Sequence, residues 1–227
     1  MRATDREQHM IDLHTHSLFS DGELIPSELV RRAEAIGYRA VALTDHADSS
    51  NLDFIIPRIV KVAGELNRIQ PVKVVPGVEL THVPPALIGS LVLKARELGA
   101  ALVIVHGETV VEPVAQGTNR AGLEAGVDIL AHPGLITPDE VALAAKKEIF
   151  LEISGRRGHS FTNGHVAKLA LEGGARLVLN SDAHAPDDLM TRELANKVVE
   201  GAGLPKSSLE GLLSNSELLL KRIGYAL

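Results

Sequence analysis

The hydrophobic and polar positions of the chain repeat in a two-part rhythm. A short, mainly apolar run is followed by a longer stretch whose apolar positions recur at helical spacing. The first run is Met10–Leu13. Pro26 and Ser27 then open a helix with Leu29, Val30, Ala33 and Ile36 on one face, stopped by Gly37. Further strands are predicted at Ala40–Leu43, Val72–Val78, Ala101–Val105, Val127–Ala131, Ile149–Ile153 and Arg176–Asn180. Between them lie a looser helix from about Asp53 to Ile69 interrupted by Pro57, a helix Ala86–Leu98 closed by Gly99, and a weaker one at Pro113–Ala125. Thr137-Pro138-Asp139-Glu140 is a strong helix start, with Thr as N-cap, Pro at the first turn and Glu three residues after the cap. Helices Val166–Glu172 and Asp187–Glu200 follow, and a Leu-rich tail at Leu209–Ile223 is expected to cap one end or lie at an interface.

Seven βα units in succession, with strands apolar throughout, predict a parallel sheet covered on both faces. The sheet could be open or closed. An open doubly wound sheet normally carries a Gly-rich phosphate turn after its first strand, and Leu13-His14-Thr15-His16 has no such turn. Most of these strands end in polar, chemically capable residues. A barrel gathers all strand C-termini at one face, so the reading is a distorted (β/α)7 barrel. One domain is expected over 1–227, with 1–9 a loose polar leader and 205–227 a helical tail.

Composition narrows the chemistry. The chain has 227 residues, 45% of them hydrophobic and 3% aromatic, so its core must be built from aliphatic side chains. It has no cysteine, which excludes disulfides, thiolate catalysis and Cys-type zinc sites, leaving nitrogen and oxygen to hold any metal. A net charge of −6 argues against a non-specific nucleic-acid binder, which needs a broad cationic face. No apolar run reaches the roughly 18 residues of a membrane span, and the first residues lack the apolar core of a signal peptide. A cytoplasmic enzyme with no membrane partner is the default expectation; the oligomeric state is left open.

The strand ends supply nine side chains able to ligate a metal: His14, His16, Asp21, His46, Glu79, His106, His132, Asp182 and His184. His14 and His16 are spaced i, i+2, which puts both imidazoles on one side of an extended strand. Nine donors exceed one tetrahedral ion, which takes three protein ligands plus water when catalytic. They suit two or three divalent ions, with Glu79 bridging, and zinc, manganese or iron fit such donors. Clustered ions of this kind serve phosphate ester hydrolysis, one making hydroxide from bound water and its neighbours neutralising the phosphoryl and leaving-group oxygens.

His14-x-His16-x-x-x-x-Asp21, Thr44-Asp45-His46, Gly77-Val78-Glu79, Val105-His106, Ala131-His132-Pro133 and Ser181-Asp182-Ala183-His184 together resemble the successive motifs of the PHP family, named for polymerase-associated domains and histidinol phosphatases. The resemblance spans about residues 10–186. It implies a (β/α)7 barrel with a two- or three-metal phosphoesterase centre. It also implies His14, His16, Glu79 and Asp182 at a first ion, Glu79, His106 and His132 at a second, and Asp21, His46 and His184 at a third. Many relatives have histidine where Asp21 stands, which leaves the filling of the third site open. His14, Glu79, His132 and Asp182 are the residues expected to carry catalysis.

Arg156 and Arg157, between glycines after the sixth strand, and His159 in the same loop are candidates for contacting a substrate phosphate. His159 is otherwise a surface residue or a proton donor to the leaving group. Glu108 is a candidate for orienting a ligand imidazole. Asp45 is assigned a structural part, His82 a turn, His165 an exposed position, and Glu152 none. The function expected is hydrolysis of a small phosphomonoester, histidinol phosphate-like or nucleotide-like, by metal-bound hydroxide. Three alternatives stand beside it: a PHP-type nuclease, an amidohydrolase-type metal hydrolase (those barrels also begin with His-x-His but have eight strands), and a non-catalytic barrel subunit of the ribonuclease P kind.

Overall fold

The structure, a computed structural model, describes residues 9–227. The leader expected at 1–9 therefore lies, His9 apart, outside the described residues. Eight strand segments pair in parallel: β1 (Met10–Asp12), β2 (Tyr38–Leu43), β3 (His46–Ala47), β4 (Lys73–Leu80), β5 (Leu102–His106), β6 (Ile129–Ala131), β7 (Phe150–Ser154) and β8 (Leu177–Asn180). Both β2 and β3 pair with β4, Ala40 opposite Lys73 and His46 opposite Glu79. They are one stave broken at Thr44-Asp45, so the barrel has seven staves, nearly closed.

The alternation with helices follows the βα rhythm: α1 (Pro26–Ala35), α2 (Leu52–Leu66), α3 (Pro85–Glu97), α4 (Thr118–Ala125), α5 (Pro138–Lys147), α6 (Asn163–Gly173), α7 (Arg192–Gly201) and α8 (Ser208–Arg222). Each helix lays an apolar stripe on the sheet, as Leu52, Ile55, Ile56, Ile59, Ala63 and Leu66 do in α2. The strands are buried on both faces, and the apolar side chains form one continuous core. The α5 start is the capping box read from the sequence, Thr137 accepting from the Glu140 backbone N–H.

Three helices differ from expectation. Pro57 does not interrupt α2: it lies inside a continuous helix, and the Asp53 carbonyl left without a donor sits on an exposed turn. The helix expected at 113–125 begins only at Thr118, because the Glu108 carboxylate accepts the Gly117 and Asn119 N–H groups and fixes that end from outside the helix. The helix expected from Asp187 begins at Arg192, where the Thr191 hydroxyl accepts the Leu194 N–H as N-cap.

The barrel closes weakly. Between β1 and β8 the backbone contact is a single bridge, Thr15 to Ala183, with the His16 N–H donating to the Ala183 carbonyl at 2.8 Å. Side chains complete the joint: Asn180 Oδ1 accepts the Leu13 N–H at 2.9 Å, and the buried Asp12 carboxylate accepts the Ser181 N–H. The Leu-rich tail is α8, and it neither caps a barrel end nor stands apart. It packs along this seam against β8 and β1, burying Leu209, Leu212, Leu213, Leu219 and Leu220, and Asn215 donates to the Leu177 carbonyl.

Candidate metal centre

The C-terminal ends of the strands bring all nine sequence-derived donors together. His14 and His16 leave β1 on the same side, their ring centroids 5.0 Å apart. His14 Nε2 lies 3.3 Å from Glu79 Oε1, and His16 Nε2 lies 3.2 Å from Asp182 Oδ1. His132 Nε2 is 3.5 Å from Glu79 Oε1. On the other flank, Asp21 Oδ1 faces His46 Nε2 at 3.4 Å and His184 Nε2 at 3.2 Å. His106 packs edge-on against His132, centroids 4.4 Å apart. The donors fall into overlapping groups: His14, His16 and Asp182; His14, Glu79 and His132; and His16, Asp21, His46 and His184. Glu79 stands between them, as a bridging carboxylate must.

Several of these atoms are buried without a hydrogen-bond partner: His14 Nε2, His16 Nδ1 and Nε2, Glu79 Oε1, His106 Nδ1, His132 Nδ1 and Asp182 Oδ1. Buried polar groups left in this state are costly and rare, and the close approach of His14 Nε2, His16 Nε2, Glu79 Oε1 and Asp182 Oδ1 calls for a ligand that satisfies them together. Imidazole nitrogens and carboxylate oxygens at the open end of a barrel are the donor set of a zinc, manganese or iron site. The residues fit divalent cations.

The electrostatics say the same. Burial opposes the charge on Glu79, yet His14, His46 and His106 outweigh it and hold its carboxyl well below the ordinary range. Burial raises Asp182 to about 7, assisted by Glu79 and Glu152 and opposed by His14 and His184. Burial, then His46 and His14, push His16 well below its usual value. So many buried imidazoles and carboxylates cannot all carry their preferred charge at once; a dication would relieve the carboxylates while taking the neutral imidazoles as ligands.

A model of the family described as PHP domain matches residues 12–164. The chain belongs to the PHP family. An uncharacterized protein of Methanocaldococcus jannaschii is 51% identical over 93% of this chain and 99% of its own length. A probable phosphatase of Shewanella pealeana is 29% identical over 92% of this chain and 90% of its own. Among solved structures, a chain in the cryo-EM structure of an archaeal ribonuclease P with mature tRNA superposes with a TM-score of 0.73 at 16% identity, covering 95% of this chain and 92% of that one. The histidinol phosphate phosphatase of Lactococcus lactis, complexed with zinc, L-histidinol and phosphate, gives 0.58 at 19% identity, covering 86% and 94%. At these identities the structural likenesses establish the fold.

In this PHP barrel the immediate surroundings of the donors are as specific as the donors. Glu152, unassigned from the sequence, is fully buried in β7. It accepts from His14 Nδ1 at 2.8 Å, Asn180 Nδ2 at 2.9 Å and the His132 N–H at 3.1 Å. That partner fixes the proton on Nδ1 of His14 and leaves Nε2 to face the donors. Asp45, read as structural, turns away from the centre and accepts from the backbone and hydroxyls of Ser17 and Ser20, holding the loop that carries Asp21. His132, Asp182 and His82 are non-glycine residues at positive φ (25°, 54° and 51°), conformations that cluster where function holds them. Gly134 has φ +62°, and a Cβ there would overlap the Glu108 carbonyl oxygen.

A cavity of about 240 Å³ opens over the donors, lined by Asp21, His46, His82, His106, Glu112, Arg156, His159, Asp182 and His184 among others. Arg156 reaches into it, donating to the Asp182 carbonyl at 3.4 Å. Arg157 does not line it and is exposed. His159 is not a surface residue: it is buried, stacked on His132 at 4.0 Å, and paired with the Thr109 hydroxyl, and it lines the cavity. Burial, then His132, push its pKa down to about 3. Glu108 touches no imidazole; it fixes the start of α4. His165, exposed as expected, pairs with the Ile136 carbonyl. Glu112, which no motif pointed to, meets His82, His106 and His159 at the cavity mouth.

Proposed function

We propose that this protein is a metal-dependent phosphoesterase acting on a small phosphomonoester of the histidinol phosphate-like or nucleotide-like kind. The observation that carries the reading is the knot of buried, partnerless donor atoms, His14 Nε2, His16 Nε2, Glu79 Oε1 and Asp182 Oδ1, beneath a cavity open to solvent. PHP membership and the similarity to a probable phosphatase support it.

His14, His16, Glu79 and Asp182 would hold one ion, Glu79, His106 and His132 a second, and Asp21, His46 and His184 a third. Bound divalent cations supply water activation near neutral pH and charge neutralisation for a phosphoryl group and its leaving oxygen. The protein's own contribution is position. Glu152 keeps the His14 ring turned toward the donors, and Arg156 offers a guanidinium at the cavity edge for a phosphoryl oxygen. The cavity is smaller than the roughly 300–1,000 Å³ of a site enclosing a whole drug-sized ligand. It would take a phosphoryl end and a few atoms, the remainder of the substrate lying at the mouth.

The test is a screen of phosphorylated metabolites against protein stripped by chelation and reloaded separately with zinc, manganese and iron. Phosphate release should depend on the added metal and vanish in Glu79→Ala, which should keep its helical circular dichroism. Equal release by the stripped protein would overturn the reading. A second reading, a ribonuclease P-like binding subunit, is favoured by the TM-score of 0.73 over 95% of the chain. The formal charge of −6 counts against it. Salt-dependent binding of a structured RNA, unchanged in Glu79→Ala, would favour it over hydrolysis.

A further inference from the structure

Glu112 is a carboxylate supplied by none of the six family motifs, and it lies on the loop between β5 and α4. Its Oε2 is 3.0 Å from His82 Nε2 and 3.1 Å from His106 Nε2, and its Oε1 is 3.4 Å from His159 Nε2. Glu79 is the carboxylate that the family pattern assigns to His106, yet its oxygens turn elsewhere. Oε1 meets His14 and His132, and Oε2 meets His46 at 2.6 Å. Among the described residues, Glu112 is the only acid with an oxygen within 4.0 Å of a His106 ring nitrogen.

The charge around His106 makes this consequential. His106, His132 and His159 bring ring nitrogens within 4.8 Å of one another, and three neutral imidazoles offer a dication no compensating charge. His82, His106 and Glu112 form a second such group, with one carboxylate and two imidazoles, a donor set that suits zinc, manganese or iron. His82 reaches this position from a left-handed backbone, φ 51°, uncommon for a non-glycine residue.

We propose that Glu112, with His82, is an additional ligand arm for the divalent cation that His106 faces, and that loading this cation fastens the 107–117 loop over the cavity. The inference rests on the metal-centre reading and adds to it a tenth and an eleventh donor. With the Glu112 side chain 38% exposed and that of His82 41%, this ion would stand at the solvent edge of the centre. The competing account is a simple hydrogen-bonded latch between two loops, indifferent to metal.

Zinc titration of chelator-stripped protein against a competing chromophoric chelator separates the two, read together with hydrogen exchange of residues 107–117. Glu112→Gln keeps the size and an acceptor for His82 but removes the charge. It should weaken one zinc equivalent by about 10–100-fold, the size of effect seen when groups around a metal are altered, and leave the others unchanged. His82→Asn should weaken the same equivalent less. Zinc should slow exchange in the 107–117 loop of the parent chain and not in Glu112→Gln. Zinc equivalents unchanged in Glu112→Gln, or loop protection by zinc equal in both proteins, would overturn the proposal while leaving the metal centre standing. A parent chain that binds no zinc, manganese or iron would overturn both.

Discussion

His14 Nδ1 and Glu152 Oε1 lie 2.8 Å apart in the fully buried floor of the barrel mouth, joining the first strand to the seventh. The same carboxylate takes hydrogens from Asn180 and the His132 backbone, so all three of its partners are donors. A carboxylate can accept from each of them. An amide cannot, because its NH2 would face another N–H.

Glu152→Gln should therefore behave as a defect in positioning. The expected outcome is a fold with native circular dichroism and zinc affinity at the His14 site reduced by about 10–100-fold. Calorimetric titration of the stripped protein would show it, and parent-like affinity would mean that His14 is oriented by something else.

Gly134→Ala tests the turn after His132. The residue has φ +62° and its added methyl would run into the Glu108 carbonyl, so strain and collision act together. A loss of at least about 1–3 kcal/mol is expected, read as a fall in the denaturant midpoint. Ala at Gly126, also at positive φ but with nothing near its Cβ, should cost less.

Leu219→Ala probes the cover over the β1–β8 joint. Leu219 is fully buried in α8, and truncation of such a residue costs about 2–5 kcal/mol. Because α8 packs on both strands, hydrogen exchange should accelerate first at Met10–Asp12 and Leu177–Asn180. Uniform acceleration through the barrel would contradict the assignment of α8 as a local cover.

The two tyrosines report on alkaline stability. Burial raises Tyr38 well above its ordinary value of 10.0, with Asp12 adding to the shift, while its hydroxyl donates to the Met190 carbonyl. Tyr225, less buried, is raised by burial alone. Above pH 10 the unfolded chain loses the Tyr38 proton that the folded chain keeps, so stability falls as pH rises toward the folded value. Phenolate absorbance should come first from Tyr225, and from Tyr38 only together with loss of helical signal. Full ionisation of both before unfolding would contradict the burial of Tyr38.

Much of this was legible in the chain because chemistry and periodicity coincide. His14, His46, His106, His132 and Asp182 each stand where an apolar run stops, and a barrel collects such stops at one face. Glu152 escaped assignment because it lies inside a strand. Yet a lone acid in Phe-Leu-Glu-Ile-Ser, buried at every position, already demanded a buried partner. Glu112 carries no comparable signal, since a loop has no period and its partners come from two other segments. The start of α4 was misplaced for the same reason, its end being fixed by Glu108 from nine residues upstream of Gly117. The placement of α8 depends on an incomplete joint between two strands far apart in sequence, which no local pattern encodes.

That joint also changes what a bound ion would mean for the molecule. His14 and His16 stand on one lip of the gap and Asp182 and His184 on the other, where the backbone is stitched by a single bridge. An ion shared by the two lips would be a rivet, closing mechanically what the strands leave ajar. Emptying the centre would then loosen this joint at the same time as it removed the chemistry.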